Sequence, residues 1–109
     1  MEPTPIWHHR VTQDAGVFTI GFTGELDLTS VSTMRALLSE QIALPQVTAL
    51  RIDLAEVEFL DSSALGALIS GLNQAQEQGR GFTVINPSIA VQRILAVTGL
   101  DTILVQPEP

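Results

Sequence analysis

One stretch of sequence, residues 57–69, constrains the fold more than any other. It follows an apolar segment that ends at Leu54, and it contains the triplet Asp61-Ser62-Ser63. These side chains accept hydrogen bonds from the free N–H groups at a helix start. Apolar residues then recur at helical spacing, at Leu65, Leu68, Ile69 and Leu72. The stretch therefore predicts a strand, a short acidic loop and a helix with one buried face.

The triplet at positions 61–63 has two interpretations that local chemistry leaves open. The first is an ordinary helix cap, which is the commonest use of these residues. The second is that Ser62 is a modification site, because the positive end of a helix tolerates an anion and leaves a hydroxyl accessible. A phosphate there would add roughly 1.5 to 2 negative charges. Local chemistry alone favours the cap.

The order of elements predicts an α/β fold with one mixed sheet. Strands are expected at residues 7–12, 17–23, 49–54, 82–85 and 102–105, and helices at 28–42, 62–78 and 87–98. In the second strand Phe18, Ile20 and Phe22 should face the core. The first helix should bury a stripe that begins at Leu28. Because helices and strands alternate after the first hairpin, we expect largely parallel pairing.

Two sequence blocks resemble those of a known family. Residues 53–66, which include Phe59-Leu60-Asp61-Ser62-Ser63, look like the signature of anti-sigma factor antagonists. These are single-domain members of the sulfate transporter and anti-sigma factor antagonist (STAS) family. Gly24-Glu25-Leu26-Asp27 resembles a second block of the family, and the order of elements agrees from about residue 11 to 105. Ala64 stands where the family usually has Gly. The implied fold is a single STAS-like α/β domain, a mixed sheet of four to five strands with helices mainly on one face.

The resemblance also implies a binding module that phosphorylation switches. Such a protein binds an anti-sigma factor, a serine kinase of the histidine-kinase-like ATPase fold, and so releases a sigma factor. The kinase phosphorylates the first serine of the pair, which is Ser62 here, and a serine phosphatase restores the hydroxyl. The partner-binding residues expected on this interpretation are Asp27, Asp61, Ser62, Ser63, Ala64 and Gly66.

Several of these residues have a purely structural alternative. Asp27 can cap the first helix, and only the resemblance favours a carboxylate beside Ser62. Gly66 and Gly71 lie inside a predicted helix, where each Gly lowers stability by roughly 0.5–1 kcal/mol relative to Ala. That cost favours a close contact at these positions, either within the domain or with a partner.

Catalysis is not expected. Ser62 lacks a Gly-x-Ser-x-Gly elbow, since its neighbours at the Gly positions are Leu60 and Ala64. His8 and His9 are adjacent on a predicted strand, so they point to opposite faces and do not suggest a metal site. No phosphate-binding loop is recognisable, and we expect no cofactor. What the resemblance implies instead is a substrate of a serine kinase and a phosphatase. A second possibility stays open, a non-phosphorylated STAS subunit of a transporter or signalling assembly.

Composition limits the partners and the compartment. The 109 residues suit one domain spanning residues 1–109, with an ordered core at about 7–105 and short tails that contain proline. Without an apolar run of roughly 20 residues, and with a start that lacks the basic and apolar parts of a signal peptide, a cytoplasmic protein is the expectation. Five dispersed arginines against twelve carboxylates give a net charge of −7. This balance argues against nucleic acid and anionic membranes. It suits a basic protein partner, or solubility alone.

Overall fold

A four-stranded mixed sheet forms the centre of the molecule, as predicted. The computed structural model describes residues 7–105, so the predicted tails lie outside the described residues. The sheet order is β1-β2-β3-β4. The strands are β1 (Trp7–Asp14), β2 (Val17–Leu26), β3 (Ala49–Leu60) and β4 (Gly81–Ile85). The helices are α1 (Val31–Ala43), α2 (Ser62–Glu77), α3 (Ile89–Thr98) and α4 (Asp101–Leu104). Within residues 7–105 no helix is long and apolar enough to cross a bilayer.

The predicted hairpin at the start of the chain is confirmed. β1 and β2 pair antiparallel around a two-residue turn in which Ala15 and Gly16 both have positive φ, 50° and 91°. This backbone matches the twist of the flanking strands. Phe18, Ile20 and Phe22 are buried on one side of β2, as their alternation predicts.

Parallel pairing and two helical crossovers build the core. β3 pairs parallel with β2 and with β4. α1 joins β2 to β3 and α2 joins β3 to β4, and their apolar faces pack on the sheet in a single hydrophobic cluster. Leu50, Ile52 and Leu54 of the central strand are at most 1% exposed, which confirms the predicted inward face. The α/β class and the helical layer are therefore as expected.

The loop predicted after Leu54 is wrong, because β3 continues to Leu60. The extension pairs with the second half of β2, including Gly24 with Val57 and Leu26 with Leu60, across two register shifts. These irregularities disturb the alternation of buried side chains, so that Leu54, Val57 and Leu60 are buried at intervals of three. Burial at every third residue does not match the alternation expected of a strand. The acidic residues Glu56 and Glu58 between the buried positions also favoured a loop, so the sequence did not predict this part of β3.

The strand predicted at residues 102–105 is also wrong. Gly99 ends α3 with φ of +74°, as expected, but the chain then turns into the short helix α4. The N–H of Leu104 donates to the Leu100 carbonyl at 2.9 Å, and the Thr102 hydroxyl donates to the Gly99 carbonyl at 3.1 Å. Leu104 is fully buried by this turn. The sheet accordingly has four strands, the lower of the two predicted numbers.

The two glycines inside α2 differ in their surroundings. A Cβ on Gly71 would lie 3.0 Å from Leu38 Cδ1 and 3.1 Å from Phe82 Cε2, so this glycine permits α2 to approach α1 and β4 closely. A Cβ on Gly66 would have no other atom within 4 Å. Packing inside the domain therefore explains Gly71 and does not explain Gly66.

Replacing each glycine by alanine is expected to have opposite effects on stability. Gly66→Ala should raise the free energy of unfolding by about 0.5–1 kcal/mol, because alanine favours the helix and the new methyl group meets no neighbour. Gly71→Ala gains the same propensity, but crowding against Leu38 and Phe82 opposes it by about 1–3 kcal/mol. Urea unfolding of the two variants measures this difference. Equal gains at both positions would contradict the close approach at Gly71.

Candidate functional site

Asp61 caps α2 through its side chain. Its backbone is extended, and Oδ1 accepts the Ala64 N–H at 2.9 Å and the Ser63 hydroxyl at 2.7 Å. The amide of Ala64 and then the hydroxyl of Ser63 hold the pKa of the Asp61 carboxyl below its ordinary value, while partial burial opposes this shift. The first of the two sequence interpretations, a helix cap, is therefore confirmed for Asp61.

The two serines of the triplet differ sharply. Ser63 is half-buried, and its hydroxyl is occupied as a donor to Asp61. Ser62 is exposed at the first position of α2, and within residues 7–105 its hydroxyl takes part in no hydrogen bond. A reagent or protein arriving from solvent therefore meets the hydroxyl of Ser62 and not that of Ser63.

The chain around Asp27 lies against this helix start. The Asp61 N–H donates to the Leu26 carbonyl at 3.1 Å, and the amide of Leu28 also stabilises the Asp61 carboxylate. Asp27 caps the following 3-10 turn (Leu28–Ser30), since its Oδ1 accepts the Thr29 N–H at 3.0 Å. Its structural role is thus confirmed, and a contact of Asp27 with a partner stays a prediction.

Ala64 and Gly66 occupy different positions relative to the surface. Ala64 is fully buried, so its methyl group points into the core and only its amide takes part in the cap. The partner contact at Ala64 that the resemblance implies cannot involve this methyl group, and a contact through the backbone there stays a prediction. Gly66 is half-buried, and the space above its Cα is open. It remains available for close approach by another molecule.

Two apolar residues beside the cap escaped the sequence analysis. The helical stripe predicted that Leu28 would be buried, but it is 72% exposed. The reason is that the chain from Leu28 to Ser30 forms a 3-10 turn before α1 begins. Phe59 is 46% exposed near the end of β3, two residues before Asp61. Phe59 belongs to the signature that resembles the antagonists, but the acidic segment around it did not predict its exposure.

The Ser62 side chain is exposed to solvent, outside the main groove of the described residues. A groove of about 490 Å³ lies on the face of the sheet between β1 and β3, where His8, Arg10, Gly21 and Asp53 line it. Ser62 does not belong to this groove.

The charge on Asp61 is expected to stabilise the fold only above acidic pH. Because its pKa is lower in the folded chain, its contribution is complete above about pH 5 and is lost as the pH falls through about 4 and then through the folded pKa. Asp61→Asn keeps an oxygen acceptor for the Ala64 amide but removes the charge. Its free energy of unfolding should lie below that of the unchanged chain at neutral pH and approach it in acid. Urea unfolding across this range tests the assignment, and a difference independent of pH would refute it.

Comparisons with known proteins agree with this architecture. Residues 9–106 match the family described as "Mlab, STAS domain". An anti-sigma-B factor antagonist of Bacillus subtilis is 30% identical over 86% of this chain and 84% of its own length. An anti-sigma F factor antagonist of Paenibacillus polymyxa is 29% identical over 89% of this chain and 79% of its own.

A solved structure supports the same relationship. The crystal structure of an anti-sigma factor antagonist from Mycobacterium paratuberculosis superimposes with a TM-score of 0.81 and 28% identity, covering 94% of this chain and 86% of that one. Sequence and fold agree over nearly the whole of the described chain. The chain therefore belongs to the STAS domain family, and within that family it is similar to the anti-sigma factor antagonists.

Proposed function

We propose that this protein is an anti-sigma factor antagonist that binds an anti-sigma factor through the surface around Ser62 and releases it when Ser62 is phosphorylated. The observation that carries the proposal is the state of the two serines. Ser62 presents an exposed hydroxyl with no hydrogen bond at the start of α2, whereas Ser63 is held by Asp61. The names of the similar proteins indicate the class of partner.

The helix start is suited to carry a phosphate without unfolding. The positive end of the helix dipole and free N–H groups offset part of the added charge at Ser62. Asp61 already fixes the first turn through the amide of Ala64, so the cap does not depend on the hydroxyl of Ser62. The carboxylates of Asp61 and Asp27 are present in both states. A phosphate on Ser62 would add bulk and further negative charge beside them, where a partner had packed on a hydroxyl. The switch is thus a change in surface chemistry.

The replacement of the usual Gly by Ala64 does not alter the proposed contact surface. The methyl group of Ala64 is fully buried beneath the first turn, so a kinase or an anti-sigma factor approaching Ser62 does not meet it. Alanine also favours the helix over glycine by about 0.8–1 kcal/mol. Compared with glycine, Ala64 therefore stiffens the first turn of α2, which carries Ser62, and leaves the groups exposed around Ser62 unchanged.

The proposed role is non-catalytic and cytoplasmic. The anti-sigma factor would be a serine kinase of the histidine-kinase-like ATPase fold that modifies Ser62, and a serine phosphatase would reverse the modification. The role requires no cofactor, since the reactive group of this chain is a hydroxyl that accepts a phosphoryl group.

Peptide mass spectrometry on tagged protein recovered from its native cells tests the proposal. We expect one phosphate on Ser62 under some growth conditions, none on the Ser62→Ala variant, and a co-purifying anti-sigma factor only with the unphosphorylated form. A phosphate mapped to Ser63 instead of Ser62, or equal recovery of the anti-sigma factor with both forms, would overturn it.

One alternative has an observation in its favour. The family that matches residues 9–106 is described as "Mlab, STAS domain", and this description does not mention anti-sigma factor antagonists. A non-phosphorylated subunit of a transporter or signalling assembly would use the same cap, with Ser62 as a contact only. Stable co-purification of other assembly subunits, together with an unmodified Ser62 under all conditions, would establish this alternative.

A further inference from the structure

We propose that Leu28 and Phe59 are the apolar anchors through which the chain holds its anti-sigma factor, inside an acidic rim that selects a basic partner surface. This inference rests on the proposed function and deepens it. It assigns the binding free energy mainly to two side chains outside the Asp61-Ser62-Ser63 triplet. Ser62 then serves as the switch at the border of the contact.

Hydrogen bonds and strand pairing bring both anchors next to the cap. Phe59 lies on β3 opposite Glu25 of β2, and the next pair along the two strands is Leu60 with Leu26. The Asp61 N–H donates to the Leu26 carbonyl at 3.1 Å, two residues before Leu28. Two chain segments, residues 24–30 and 55–63, therefore meet at this point and present one apolar side chain each.

The burial of neighbouring residues makes the exposure of these two side chains notable. Leu26 is fully buried and Leu60 is 5% exposed, whereas Leu28 is 72% exposed and Phe59 46% exposed. Both exposed residues sit on a fixed backbone, since Asp27 caps the turn that begins at Leu28 and β2 pairs with the strand that carries Phe59. Because the backbone at both positions is already ordered, binding does not have to order the chain there, which lowers the entropic cost of using these side chains as anchors.

Charge indicates the chemistry of the partner. Residues 24–30 and 55–63 contain Glu25, Asp27, Glu56, Glu58 and Asp61 and no Arg, Lys or His. Almost half of the chain's twelve carboxylates thus belong to the two segments that carry the anchors. An apolar pocket rimmed by Lys or Arg complements this arrangement in shape and sign. A phosphate on Ser62 would add negative charge at this border. The basic rim of the partner would by itself attract that charge and so strengthen binding. Release therefore requires that the phosphate disturb the seating of the anchors.

Titration calorimetry with one defined probe tests the inference. The probe is the purified anti-sigma factor that co-purifies with the unchanged chain. We expect Leu28→Ala and Phe59→Ala each to weaken its binding about tenfold or more. The control, Val97→Ala, removes a side chain that is 87% exposed on α3 and should change the affinity by less than about twofold. Raising the salt concentration should weaken the affinity of the unchanged chain, because salt screens the attraction between the acidic rim and a basic partner.

The outcomes separate this inference from the proposed function. Affinity unchanged by both anchor substitutions, with binding still lost on phosphorylation of Ser62, would overturn the anchors and leave the proposed function standing. If no anti-sigma factor binds the unchanged chain, the proposed function fails and this inference falls with it. Thermal unfolding of each variant shows whether it is folded. Because Leu28 is 72% and Phe59 46% exposed, neither substitution is expected to unfold the domain.

Discussion

Phosphorylation of Ser62 is expected to weaken binding of the anti-sigma factor by about a hundredfold or more. A dianionic group on the exposed first residue of α2 replaces a small hydroxyl at the border of the contact, and its bulk and hydration disturb the packing of the apolar anchors against the partner. Ser62→Glu should reproduce part of this loss, and Ser62→Ala should bind within about threefold of the unchanged chain. Calorimetry with the purified anti-sigma factor measures all three forms.

Ser63 provides the matched control for this result. Its hydroxyl donates to Asp61, so Ser63→Ala removes a contact within the cap and leaves the exposed group at position 62 in place. We expect a loss of stability of about 0.5–1.5 kcal/mol and little change in affinity. The circular dichroism spectrum of the Ser62 phosphoprotein should match that of the unmodified chain. Binding that survives phosphorylation of Ser62 would refute the switch.

Leu68→Ala is expected to lower the free energy of unfolding by about 2–5 kcal/mol. Leu68 lies in the middle of α2 and is fully buried in the hydrophobic cluster. Removing most of its side chain therefore leaves a cavity as well as the lost apolar burial. A change of this size is a large fraction of the stability of a small domain, since such domains are stable by about 5–15 kcal/mol.

Urea unfolding compares Leu68→Ala with Val97→Ala, whose side chain is exposed on α3 and should change stability by less than about 0.5 kcal/mol. Similar values for the two variants would show that α2 does not depend on this buried face. Because Ser62 lies on the same helix, partial unfolding of Leu68→Ala should weaken partner binding in proportion to the unfolded fraction.

Regular patterns in the sequence were sufficient for the central elements. Alternation in β2 placed Phe18, Ile20 and Phe22 in the core, and the helical spacing from Leu65 to Leu72 placed one face of α2 there. Asp61 was identified as a cap because its residue type is suited to that position. These elements follow local preferences, and the tertiary structure agrees with them.

The remaining parts depend on contacts that local sequence does not contain. Residues 55–60 are a strand because the end of β2 pairs with them across register shifts, and nothing in their own composition predicts this. α3 begins at Ile89, later than predicted, because Ser88 donates to the Val57 carbonyl at 2.6 Å and accepts the Val91 N–H. The exposure of Leu28 likewise follows from the turn that Asp27 caps. The candidate site is built largely from such non-local contacts.

The extension of β3 to Leu60 has a consequence for the order in which the molecule opens. The end of the extension is joined to β2 on one side, and its Val57 carbonyl is held by Ser88. Amide hydrogens of the extension that bond to β2 should exchange with solvent more slowly than those of an unpaired loop, because opening them requires the extension to separate from β2. The segment that leads to Ser62 should therefore stay paired with β2 while a complex lasts. A kinase acting on Ser62 would meet the same backbone at every encounter.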